Sequence, residues 1–108
     1  VWNERNAATR RRMIEQLWAP DGEHFVGTRE AKGHDALERR IIGSHEKNVR
    51  DAGNRFRAAR DAQQLRDAVC FHWEMLRGTT EEVAAIGREF LIVDQQGYIR
   101  TDYQFIVR

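Results

Sequence analysis

From residue 54 onward the side chains of this chain alternate with a period of two, and that change of period constrains the fold more than any other feature. "NRFRAARDAQQL", "AVCFHWEML", "EEVAAIGREFLIVD" and "GYIRTDYQFIV" read as four successive strands, because neighbouring side chains of a strand point to opposite faces. The connections near 66–67, 77–80 ("RGTT") and 94–97 ("DQQG") are short enough for hairpins. Before residue 54 the spacing is helical. Asn6 is placed to cap a helix whose Met13, Ile14, Leu17 and Trp18 form one apolar stripe, and Pro20-Asp21-Gly22 ends it in a turn. "VWNER" reads as the end of an earlier helical stretch and "EHFVGT" (23–28) as a short strand. His34 to Asn48 reads as a second helix with Leu37, Ile41, Ile42 and His45 on one side. Helices first and a meander afterwards predict an α+β fold, with N-terminal helices packed on one face of a curved antiparallel sheet. The 108 residues suffice for one domain (1–108) and a single modest core.

Charge and composition exclude several classes. Lys and Arg number 18 against 17 Asp and Glu, a formal net charge of +1, and acids are interleaved with the runs Arg10-Arg11-Arg12 and Arg39-Arg40. With no aromatic stacking platform beside them, those runs read as solvated helix faces, and no nucleic-acid partner is expected. No apolar run approaches the roughly 20 residues of a membrane span, and "VWNERNAATRRR" lacks the apolar stretch of a targeting peptide. The lone Cys70 rules out an internal disulfide and fits a reducing cytoplasm, the expected location. His72 and Glu74 offer two metal ligands without a third at useful spacing, and Cys70 near His72 has no oxyanion motif. Neither a metal nor a cofactor is expected.

Turn positions predict which strand residues face the helices. A last hairpin centred on Gln95-Gln96 opposes Arg88 to Tyr103 and Ile86 to Phe105. A turn at Thr79-Thr80 in the hairpin before it opposes Phe71 to Arg88 and Trp73 to Ile86. The inner face would then carry Phe71, Trp73, Ile86, Arg88, Phe90, Thr101, Tyr103 and Phe105, with Glu89, Leu91, Val93 and Asp102 outside. Arg88 is the one charge on that face, and a buried guanidinium needs an acid, a water or a bound anion. It is either a surface or interface arginine, or a pocket cation for a carboxylate, phosphate or carbonyl oxygen of a ligand. A one-residue slip in either turn reverses its face. Tyr103 either orients a ligand or caps Arg88. His24, on the same strand face as Val26, and His45, on the apolar side of the second helix, are satisfied core histidines or acid–base groups. Trp18, Phe71, Trp73, Phe90 and Phe105 are core residues or, as pocket walls, stack on a flat ligand.

The order helix, short strand, helix and four-stranded meander resembles the nuclear-transport-factor-two-like superfamily, and the local text is most similar to its SnoaL-like branch. "WNERNAATRRRMIEQLWAPDGEHF", "KGHDALERRI" and "EFLIVDQQGYI" resemble that branch's first helix and strand, its second-helix start and its last hairpin. The resemblance spans nearly the whole chain. It implies a cone-shaped α+β barrel enclosing a pocket, commonly as a homodimer through the outer sheet face. It implies no single activity, because the superfamily includes isomerases, cyclases, hydrolases, dehydratases, transport factors and binding modules. Ketosteroid isomerase relatives carry a general-base Asp where this chain has Val26, and a protonated Asp where it has Arg88. SnoaL-type cyclases use a pocket Asp and His, but the predicted parity turns Asp102 outward. The Arg/Asp/Asn set of limonene-epoxide-hydrolase relatives is incomplete as well. The expectation is a pocket protein without metal or cofactor, binding a small hydrophobic or aromatic ligand, anionic in one reading, through Arg88, Tyr103, Trp18, Phe71, Trp73, Phe90 and Phe105. One alternative is a cofactor-independent isomerase, cyclase or hydratase using His24 or His45. The other is a dimeric interaction module with a vestigial pocket.

Overall fold

In the computed structural model, which describes residues 1–108, two helices lie against a curved seven-stranded sheet. Helix α1 (Ala7–Leu17) starts where the sequence places it, with Asn6 Oδ1 accepting the Thr9 amide at 2.9 Å, a capping contact worth about 1 kcal/mol. The chain passes directly from Leu17 into strand β1 (Trp18–Val26). Pro20-Asp21-Gly22 therefore interrupts a strand rather than separating helix from strand. Strand β2 (Arg29–Lys32), which alternation alone did not reveal, folds back on β1 through Gly27 at φ 56°. Helix α2 (Gly33–Ser44) follows, and His45–Asp51 continues it with π-helical winding, taking His45 off the α-helical spacing. The first residues are not helical. Val1 and Trp2 pack against the core cluster of Ile14, Trp18, Ala31, Leu37 and Ile41, where the apolar stripes of both helices meet.

The strand predicted over 54–65 breaks into β3 (Arg55–Ala58) and β4 (Gln63–Leu65), with Arg60 at φ 61° between them. Strands β5 (Ala68–Leu76), β6 (Val83–Val93) and β7 (Ile99–Ile106) form the expected long hairpins. Sheet order is β2-β1-β7-β6-β5-β3, with β4 also on β5. Every pair is antiparallel except β1–β7, which lie parallel and bring the first strand beside the last. No helix is long and apolar enough to cross a membrane.

Register decides the faces. Next to the β5–β6 turn Leu76 opposes Val83, as the turn at Thr79-Thr80 predicts. Ala84 is then an extra residue, Met75 opposes Ala85, and each later pair is shifted by one: Trp73 with Gly87, His72 with Arg88, Phe71 with Glu89. A β-bulge of this kind turns the remainder of its strand over. In the last hairpin, Asp94 Oδ1 accepts the Gln96 and Tyr98 amides. A second irregularity beyond Val93 brings Phe90 opposite Tyr103 and Arg88 opposite Phe105. That displacement is even, so residues predicted to share a face of β6 and β7 do share one, but it is the outer face. Arg88, Phe90, Tyr103 and Phe105 point away from the helices, contrary to expectation. Glu89, Leu91, Asp102, Gln104 and Ile106 point toward them.

Ile41 is fully buried in the cluster beneath both helices. Ile41→Ala is expected to cost roughly 2–5 kcal/mol, measured as a lower urea midpoint with an unchanged slope.

Candidate active-site cavity

The helices and the concave face of the sheet enclose a cavity of about 1220 Å³, roomy for a small-molecule site. Trp18, Phe71, Trp73, Leu91, Ile99 and Ile106 supply apolar walls, and Glu89 and Asp102 also line it. The cations of Arg29, Arg39, Arg40, Lys47 and Arg57 also line it. Arg57 is engaged by Glu74 and Glu81, whereas the other four make no ion pair. Arg40 is half-buried over the Trp2 ring, its Cζ 5.4 Å from the centroid, and its Nε has no partner. The predicted reading of Arg39-Arg40 as a solvated helix face thus fails for Arg40.

Glu89 on β6 and Asp102 on β7 are 7% and 4% exposed. Their carboxyls adjoin one another, and Glu89 Oε2 and Asp102 Oδ1 are buried with no other partner, an arrangement that a proton on one of them would relieve. Burial, with the neighbouring Asp102, pushes Glu89 up to about 10. Asp102 is raised by burial too, but the hydrogen bond from Glu89 and the proximity of His24 hold it down. Glu89 therefore keeps the proton and Asp102 is the more acidic partner. His24 on β1 is registered with Asp102 across the parallel seam, its Nδ1 3.4 Å from Asp102 Oδ2 without hydrogen-bond alignment. Burial lowers the histidine, so its imidazole is neutral. Trp2 covers the ring at 5.6 Å.

Trp73 explains how an acid is held in this wall. Its Nε1–H donates to Glu89 Oε1 at 2.9 Å, and to reach it the indole lies across Gly87, the residue opposite Trp73 in the ladder. A Cβ at position 87 would overlap the indole ring. Glycine is thus a requirement of the close approach rather than of backbone angle.

No family model matches the chain, and no curated protein matches it in sequence. Solved structures do match. A candidate isomerase of the SnoaL-like family from Agrobacterium tumefaciens superposes with a TM-score of 0.89 at 20% identity, covering 99% of this chain and 88% of the other. A candidate polyketide cyclase from Sinorhizobium meliloti gives 0.70 at 10% identity, covering 91% and 84%. An NTF2-like protein with a cystatin-like fold from Novosphingobium aromaticivorans gives 0.63 at 17%, covering 94% and 71%. The chain has the SnoaL-like, NTF2-like fold.

Within that fold the residues singled out in the sequence divide into two groups. Trp18, Phe71 and Trp73 line the cavity, and His24 sits behind its wall against Asp102. Arg88 is exposed on the outer face, its Nε donating to His72 Nε2 at 3.4 Å while Asp61 holds His72 Nδ1 at 2.6 Å. Tyr103 stacks on Phe25, also outside, with centroids 5.5 Å apart. Phe90 and Phe105 are 39% and 55% exposed there. None of these four lines the cavity, because the Ala84 bulge turned β6 over and β7 keeps the predicted parity with β6. His45 lines a separate small cleft. Glu89 and Asp102 were the residues the sequence reading set aside, although any odd-sum register of the last hairpin already puts them on one face.

Two outcomes test this wall. Gly87→Ala is expected to displace the indole, losing the Trp73–Glu89 contact and roughly 1–3 kcal/mol of stability, with a change in tryptophan fluorescence. Glu89 retains in the folded chain a proton that the unfolded chain releases near 4.5, so stability falls as pH rises from there toward 10, by at most about 1.4 kcal/mol per pH unit. Glu89→Gln removes that decline. Its melting temperature should exceed the parent's by a margin that widens from pH 6 to 9, within the window between those two values.

Proposed function

We propose that this chain binds a small, flat, largely apolar carbonyl compound in the cavity and moves protons on it without a cofactor, as an isomerase or cyclase does. The observation that carries the reading is the pairing of two buried carboxyl residues, Glu89 and Asp102, in an aromatic cavity wall, where burial and proximity favour their sharing one proton. Two carboxyls driven apart in acidity supply a base and an acid at neutral pH.

The chemistry follows from that pairing. Asp102 accepts the proton of a carbon next to the carbonyl. As the C–H electrons move into the C=C bond, the carbonyl oxygen gains charge and takes the proton of Glu89, giving an enol. Asp102 returns its proton to another carbon while Glu89 takes back the enol O–H proton, yielding an isomer. Alternatively the enol carbon attacks a second carbonyl, Asp102 protonates the oxygen of that carbonyl and Glu89 recovers the enol proton, closing a ring. His24, neutral and outside the cavity lining, is a positioning residue for Asp102. Trp73 steadies Glu89 through Oε1. Arg40, with its unpartnered Nε at the Trp2 side of the cavity, takes the recognition role that the sequence suggested for Arg88, meeting a carboxylate or carbonyl oxygen of the ligand.

Exchange of ligand C–H protons in deuterium oxide, followed by NMR over a panel of aromatic and cyclic ketones and keto acids, tests the reading. The parent should catalyse exchange on at least one compound that also raises its melting temperature. Asp102→Asn should slow that exchange roughly 10²–10⁴-fold while still binding. The rate should fall toward alkaline pH as Glu89 loses its proton near 10. Compounds that bind the parent yet never exchange would leave a binding protein and sink the catalytic reading.

A further inference from the structure

A second cleft, of about 310 Å³, is lined by Arg5, His45 and Arg50 alone, none of which lines the larger cavity. Arg10 of α1 lies near His45 but not in the cleft's lining. Arg10 and His45 are 7% and 8% exposed, and Arg10 Nε and His45 Nε2 are buried without a hydrogen-bond partner. Arg10 is anchored by donating from Nη1 to the Glu4 carbonyl at 2.9 Å. Arg5 makes no ion pair, while Arg50 contacts Glu46 at 3.6 Å and Asp51 at 2.9 Å. The charged groups bearing on His45 are thus Arg10, Arg5 and Arg50, against the single acid Glu46. Burial and those cations hold its imidazole below the usual range.

Three guanidinium groups near a covered imidazole repel one another, and Nε2 of His45, a lining residue, has nothing to bond. A bound anion resolves both problems at once. Guanidinium forks match the oxygen spacing of tetrahedral oxyanions. The π-helical winding of His45–Asp51 also brings His45 and Arg50 to the same cleft although they are separated by a wider turn than an α-helix makes. Nothing apolar lines the cleft, so the ligand it fits is charged and compact.

We propose that this cleft is a binding site for phosphate, free or as a small phosphomonoester, held by Arg5 and Arg50 with His45 as a further donor and Arg10 adding its charge from beside the imidazole. It is independent of the proton-transfer reading and uses none of its residues. The ligand's negative charge offsets the mutual repulsion of the arginines and favours the protonated imidazole.

NMR titration of the labelled protein at constant ionic strength, with inorganic phosphate and separately with phenyl phosphate, tests the site. The expected result is saturable shifts of the His45 ring signals with Kd about 1 mM or tighter. The His45 titration midpoint should move upward in the presence of ligand. Arg5→Ala and Arg50→Ala change exposed side chains and should leave the fold intact while weakening binding about tenfold each. Equal affinity for both probes identifies the free ion as sufficient, and tighter binding of the ester identifies an organic phosphate. A titration that does not saturate by about 20 mM, or one indifferent to both substitutions, overturns the site.

Discussion

Two carboxyl groups taken out of water and placed against each other resist ionising together, because burial and their mutual repulsion outweigh the attraction of the nearby Arg40 cation. The arrangement of Glu89 and Asp102 therefore depends on one retained proton, and much of the surrounding structure serves to retain it. The Trp73 indole donates to Glu89 and seals it from one side. Gly87 is bare so that the indole can lie flat. His24 backs Asp102, and Trp2, reaching in from the start of the chain, covers His24. Such a pair reduces stability above the ordinary range of a glutamic acid. A buried arrangement that weakens the fold is more readily explained by chemistry than by packing.

The architecture was legible because it rests on periodicity and turn chemistry. Asn6 capped α1, the two apolar stripes met in one core, and "RGTT" and "DQQG" formed the hairpin turns. The site was less legible because side-chain direction in a strand is a parity, and one inserted residue reverses it. Alternation over 81–94 gives no sign that Ala84 stands out of the ladder: a bulge is fixed by twist and packing rather than by a residue type that announces it. With that residue counted in the ladder, Arg88 lay among aromatic rings and both acids faced solvent. With it extruded, Arg88 joins His72 and Asp61 outside, and the acids enter the cavity. β2 and the π-helical turn were missed for a different reason, since each is too short to establish a period.

Fold and chemistry are separable in this molecule. Superposition on solved structures across nearly the whole chain, at 20% identity or below, reports the curved sheet and its helical cover. It does not report which side chains occupy the wall. The inference to proton transfer comes from burial, hydrogen bonding and acidity at particular positions. The unpartnered cations beside the cavity bear on what the ligand carries rather than on what is done to it.

The parallel seam between β1 and β7 has a consequence for how the protein is made. His24 belongs to the first strand and Asp102 to the last strand of the sheet, so the pair meets only after the chain through residue 102 has left the ribosome. Until then Glu89 lacks its acidic neighbour. Contacts of such long sequence separation are slow to form. Maturation of the reactive wall and completion of the native topology should therefore be one kinetic event, and a nascent chain lacking its final strand should be inert however well its helices have folded.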